Sequence, residues 1–159
     1  MNISELRLCI ISAATALSDR KEEVNRLNVF PVPDGDTGTN MSLTIESVVK
    51  EVKALPVDAD GKALRKAVTH GSLMGARGNS GVITSQILRG LCEGLEKVED
   101  IDAITPDQIA DAMQTAVTVA FHAVRKPVKG TILTVLEDAA AAAVKAAEDG
   151  LNRHDQLRA

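Results

Sequence analysis

TPDQIADAMQTAVTVAFHAV, residues 105–124, reads as one helix with a buried face and a marked start. Thr105 and Gln108 have the spacing of a capping box, in which each side chain satisfies a backbone N–H of the other, and Pro106 takes the first helical position, where no N–H is needed. From there Ile109, Met113, Ala116, Val117, Ala120, Phe121 and Val124 recur at helical spacing. The same period runs through Val82, Ile83, Ile87, Leu88, Leu91 and Leu95. Extended along the chain, it predicts helices over 3–17, 19–27, 39–54, 61–74, 80–97, 106–125 and 131–149, and no strand. The expected fold is all-α. Short connections favour antiparallel neighbours, so the helices form an up-and-down barrel or bundle of about seven.

Composition agrees. At 159 residues the chain is long enough for one domain with a hydrophobic core that needs neither disulfides nor a structural metal. Aromatics make up 1% of it, Phe30 and Phe121 alone, so Ala, Val, Leu and Ile must fill that core, which requires closely packed helices. Without aromatic platforms or a basic stripe, and with a net charge of −4, nucleic acid is not an expected partner. Cys9 and Cys92 lie within apolar helical patterns and read as reduced thiols of a cytoplasmic protein. Neither a signal peptide nor a membrane span is read from the sequence.

The chemistry concentrates at DGDTGTN, residues 34–40, where two aspartates run into a glycine-rich turn and a helix start. Carboxylates suit Mg²⁺, which usually takes one or two of them and fills its other positions with water and phosphate. Glycines let backbone N–H groups approach an anion, and the helix dipole favours negative charge there. Other readings fail on spacing. An EF-hand loop begun at Asp34 would need Gly and Glu where Thr39 and Ile45 stand. An aspartyl phosphatase sets its aspartates at the end of a buried strand, which Pro31 and Pro33 forbid. No Walker loop is present.

If helix directions alternate, the third, fifth and seventh helices start at the same end of the array. Each of those starts carries glycine: DGDTGTN at 34–40, GARGNSG at 75–81 and KPVKGT at 126–131. Their convergence beside Asp34 and Asp36 predicts a cradle for a nucleotide and Mg²⁺.

LNVFPVPDGDTGTNM at 27–41, GSLMGARGNSGVITSQILRG at 71–90 and PVKGTILTV at 127–135 closely resemble the N-terminal kinase domain of bacterial fatty acid kinase A, related to the nucleotide-binding L subunit of dihydroxyacetone kinase. The resemblance implies an antiparallel helical barrel that binds ATP with Mg²⁺ at one end and passes the γ-phosphate to a fatty acid carboxylate held by a separate binding protein. It assigns Asp34 and Asp36 to the metal and to catalysis, and Thr37, Gly38, Thr39 and Asn40 to the phosphate-facing turn. Asn79, Ser80 and Gly81 fall in the second phosphate loop, and Thr131 at a nucleotide contact. The dihydroxyacetone kinase pattern has another aspartate five positions before the pair; here Asn28 lies six before Asp34, and its carbonyl is the expected third metal ligand. Arg77, inside the glycine loop, is the expected phosphate-pairing cation. Lys126 and Lys129 are weaker cases of the same kind.

The family's kinase domain continues beyond the helix ending near Asp149, so residues 1–159 are expected to be a C-terminally truncated kinase domain. A carboxylate acceptor is already ionised and needs no general base, so His70, His122 and His154 are left without a catalytic role. The run EKVED, 96–100, reads as a solvated helix end and loop. The rival readings are phosphoryl transfer to a hydroxyl, as in dihydroxyacetone kinase, and a non-catalytic module that binds nucleotide or Mg²⁺.

Overall fold

The computed structural model describes residues 2–98 and 100–158. Among them the regular structure is helical: α1 Ile3–Asp19, α2 Lys21–Leu27, α3 Thr37–Ala54, α4 Gly61–Gly75, α5 Gly78–Gly94, α6 Pro106–Ala123, α7 Ile132–Glu148 and a short α8, Arg153–Gln156, with one 3₁₀ turn at Ile101–Ala103. The capping box at Thr105 forms as expected: the Gln108 N–H donates to Thr105 Oγ1 at 3.3 Å and the Thr105 N–H to Gln108 Oε1 at 3.0 Å. A second, Asn2 with Glu5, starts α1.

Successive helices from α3 to α7 pack side by side, with α1 and α2 against α3. Small residues set these contacts. A Cβ on Gly90 would lie 2.5 Å from the Cα of Ala116, and one on Gly71 would lie 2.8 Å from the Cα of Val48, so the backbones of α5 and α6, and of α3 and α4, approach to distances that only glycine permits. The alanine and glycine usage in place of aromatics is thus expressed as close helix contact.

The core has two parts. Val48, Val52, Leu64, Ala67 and Val68 join α3 to α4 under α1, while Ala116, Ala120, Leu133 and Leu136 join α6 to α7. Fully burying a Val or Leu side chain contributes about 1.5–3 kcal/mol, and Val48 and Val52 are 1% and 0% exposed. Arg7 of α1 donates to Val52 O, Leu55 O and Pro56 O at 2.8–3.1 Å, satisfying carbonyls at the end of α3.

Helix ends differ from the sequence expectation where tertiary contacts intervene. α3 begins at Thr37, two residues early, because Asn25 and Asn28 supply acceptors to its first turn. α5 begins at Gly78 and stops at Gly94, and α6 stops at Ala123, with Val124 already extended at φ −105° and ψ 121°. Pro127 disfavours helical geometry in the residue before it and so helps keep Val124, Arg125 and Lys126 out of the helix. Neither α8 nor the 3₁₀ turn has a periodic signature. Gln156 holds α8 in place, donating through Nε2 to Ala143 O at 2.8 Å and Pro106 O at 2.9 Å. Within EKVED, Glu96, Lys97 and Asp100 are exposed as expected, Val98 is buried, and Glu99 lies outside the described residues.

Candidate active site

A cleft of about 540 Å³ opens where α3, α5 and α7 begin and α6 ends. Its lining comprises Asp36, Thr37 and Met41 at the start of α3, Asn79, Ser80, Val82 and Ile83 from α5, Thr131, Ile132 and Leu133 at the start of α7, and Ala123–Lys126 at the end of α6. The meeting of three starts with one end shows that the directions alternate, as the short connections predicted.

The loop from α2 to α3 supplies one wall, and Asn28 folds it. Asn28 Nδ2 donates to Val32 O at 2.9 Å, closing the loop on itself, while Oδ1 accepts from the Thr37 N–H at 3.3 Å and the Thr37 hydroxyl at 2.9 Å. Gly35, at φ +64°, turns the chain between the two aspartates. Asp36 occupies the N-cap position of α3, where Asp commonly bonds its own helix, yet it makes no capping bond. The amides of Asn25 and Asn28 do that work instead. The carboxylates of Asp34 and Asp36 have no hydrogen bond or ion pair among the described residues, and both residues line the cleft.

Of the residues singled out in the sequence, Asn28, Asp34, Asp36, Thr37, Asn79, Ser80 and Thr131 line the cleft together. Ser80 Oγ lies 3.5 Å from Thr37 O, linking the first two starts. Thr131 caps α7, accepting from the Leu133 N–H at 3.4 Å and donating to Val128 O at 2.8 Å.

Five others lie elsewhere. Gly38 is buried against α2, where a Cβ would lie 3.0 Å from Asn25 Oδ1. Gly81 faces α3, where a Cβ would lie 2.5 Å from Thr44 Oγ1, so its smallness serves helix contact. The Thr39 N–H is taken by Asn25 Oδ1 at 3.1 Å. The Asn40 N–H bonds Asp36 O at 2.9 Å, and the Asn40 side chain packs on Gly78. Arg77, the expected phosphate partner, turns back onto the end of α4, donating to Ala76 O at 2.9 Å and Met74 O at 3.5 Å. Carbonyls at a helix C-terminus attract a cation; this local attraction explains its orientation.

Arg125 and the apolar residues Phe30, Pro31, Val32, Met41, Val124, Val128 and Ile132 are cleft residues that motif reading missed. The proline at 127 and the end of the apolar pattern at Val124 were the available signal for Arg125, since together they mark where a helix must release its chain. Lys126 lines the cleft, and Lys129 does not. His70 lies away from the cleft, 3.7 Å from Glu51 across α4 and α3, and His122 is not among the lining residues. The side chain of His154 is outside those described.

Among the described residues no three His, Cys, Asp or Glu side chains gather as a metal cluster. Two free carboxylates still fit Mg²⁺, which draws its remaining ligands from water and phosphate. No helix among the described residues is long and apolar enough to cross a membrane.

An all-helical bundle with a glycine-turned cleft at one end that carries two unpaired aspartates defines the class, and comparison with known proteins gives the family. Residues 31–159 match the DAK2 domain, and the chain belongs to that family. It is 52% identical over 140 residues to an uncharacterised protein of Staphylococcus haemolyticus and 50% identical over 139 residues to protein YloV of Bacillus subtilis, alignments that cover 88% and 87% of this chain. They cover 25% and 24% of those relatives, so the chain spans about a quarter of the length of the curated relatives it matches. Family membership associates the chain with kinases of the dihydroxyacetone kinase L type.

Proposed function

We propose that this chain is the nucleotide-binding part of an ATP-dependent kinase that phosphorylates the carboxylate of a fatty acid presented by a separate binding protein. The observation that carries the reading is the pair Asp34 and Asp36, whose carboxylates are unbonded among the described residues and which line the cleft where α3, α5 and α7 begin. Asp34 and Asp36 would hold Mg²⁺, with Asn28 as a further oxygen ligand once its Oδ1 gives up the Thr37 hydroxyl. Bound there, the metal neutralises charge on the phosphate oxygens, the main demand of phosphoryl transfer.

The chain's own residues position and shield. Thr37, Ser80 and Thr131 offer polar atoms along the cleft, and Val82, Ile83 and Leu133 form an apolar wall suited to a purine. Among the described residues no histidine lines the cleft, and the carboxylates that line it are the two reserved for the metal. A hydroxyl acceptor would need a general base; a carboxylate needs none. That favours the acyl acceptor over the dihydroxyacetone type.

Calorimetry with ATP in Mg²⁺ and again in excess chelator tests the nucleotide reading. Binding should require Mg²⁺, and Asp34→Ala or Asp36→Ala should weaken it at least tenfold without lowering the melting temperature. Equal affinity with and without Mg²⁺ removes the aspartates from the metal role. For the acceptor, the protein is incubated with ATP, Mg²⁺ and a lipid-loaded binding protein, and hydroxylamine traps an acyl phosphate as hydroxamate. A hydroxylamine-resistant phosphate monoester would instead favour a hydroxyl acceptor.

A further inference from the structure

We propose that Arg125 and Lys126 are the residues that grip the phosphate chain, in the cleft that Asp34 and Asp36 also line. This rests on reading the cleft as a nucleotide site and names the cations of that site. Motif position pointed to Arg77, but its guanidinium is committed to Ala76 O and Met74 O and does not line the cleft. Among the described residues, Arg125 and Lys126 are the Arg and Lys that do.

Three observations converge on them. The chain leaves α6 at Ala123 and is extended at Val124, so Arg125 and Lys126 sit on a loop between the end of α6 and the start of α7. Neither side chain has a hydrogen bond or ion pair among the described residues. On the same cleft, Asp34 and Asp36 are equally unpaired. Opposite charges within about 4 Å of each other form an ion pair; these four line one cleft without doing so, which leaves both the cations and the carboxylates free for a ligand. A ligand that satisfies both is an anion carrying its own divalent cation. A magnesium polyphosphate has that form, with the metal toward the aspartates and the phosphate oxygens toward the guanidinium, whose fork matches them bidentately.

The test is calorimetric titration of the whole chain, in Mg²⁺, with ATP, ADP and AMP. The proteins compared are the parent, Arg125→Gln, Lys126→Gln, the double variant and Lys129→Gln, which removes one charge from the same loop outside the cleft. Each cleft substitution should weaken ATP binding on the order of tenfold, as loss of a charge-assisted hydrogen bond does. AMP should be affected much less, and Lys129→Gln should match the parent. Because both side chains are exposed and unbonded, melting temperatures should not change. If the double variant binds ATP like the parent, or loses ATP and AMP affinity equally, the assignment is overturned while the nucleotide reading stands. A parent that binds none of the three overturns both.

Discussion

Asn28 Oδ1 accepts two hydrogen bonds from Thr37, one from its N–H at 3.3 Å and one from its hydroxyl at 2.9 Å, across the loop that carries both aspartates. One amide thus caps α3 and fixes the loop, which leaves the carboxylate of Asp36, the residue at the N-cap, unbonded. This division of labour frees a carboxylate that would otherwise serve its own helix.

Asn28→Ala should therefore have two effects. It removes both acceptor contacts and the Nδ2 donation to Val32 O, so stability should fall by about 1–2 kcal/mol, the usual cost of losing a cap. Affinity for ATP with Mg²⁺ should fall as well, since the aspartates lose their fixed loop. Denaturant unfolding and calorimetry measure the two. An unchanged midpoint would show that Asn28 does not support the helix start.

Gly81→Val should act on the fold. Its first added carbon would meet Thr44 Oγ1 at 2.5 Å and Asn40 O at 3.3 Å, inside the contact of α5 with α3. Overpacking of this kind costs about 1–3 kcal/mol. A clear drop in melting temperature without nucleotide is expected, and ATP-Mg²⁺ should still raise the melting temperature of whatever remains folded. Wild-type stability with lost binding would instead place Gly81 in the site.

The two thiols should differ in reactivity. Burial pushes the Cys92 thiol above its ordinary range, opposed by a hydrogen bond with Thr69 and by the charge of Arg65, so it stays protonated through neutral pH. Cys9 is exposed. Because the thiolate is the reacting form, iodoacetamide at pH 8 should label Cys9 well before Cys92, and denaturant should bring the two rates together. The sign of the pH effect follows. Between the unfolded and the raised folded pKa the native state binds more protons, so Cys92 contributes stability that is lost as pH rises through that range. Cys92→Ala should flatten this alkaline loss. Equal labelling rates in the native protein would contradict the burial.

Much of the architecture was legible because helix periodicity and caps are local. The repeat from Ile109 to Val124 and the box at Thr105 needed no knowledge of the rest of the chain, and alternation of short-looped helices was enough to bring three glycine-bearing starts to one end. Helix ends were less legible. The early start of α3 depends on Asn25 and Asn28, 14 and 9 residues away from the groups they cap, and α8 is held through Gln156 by carbonyls of α6 and α7.

Within the site, residue type could be read and side-chain direction could not. Sequence alone determined that Asp34 and Asp36 flank a glycine turn at a helix start, because a turn and the helix after it are built from neighbours. Only the tertiary structure decided that Gly81 faces Thr44, that Arg77 folds onto α4, and that the cations on the cleft are Arg125 and Lys126. The reason is geometric: the direction of a side chain depends on which helix lies beside it and where the chain leaves that helix, and both are fixed only when the bundle packs.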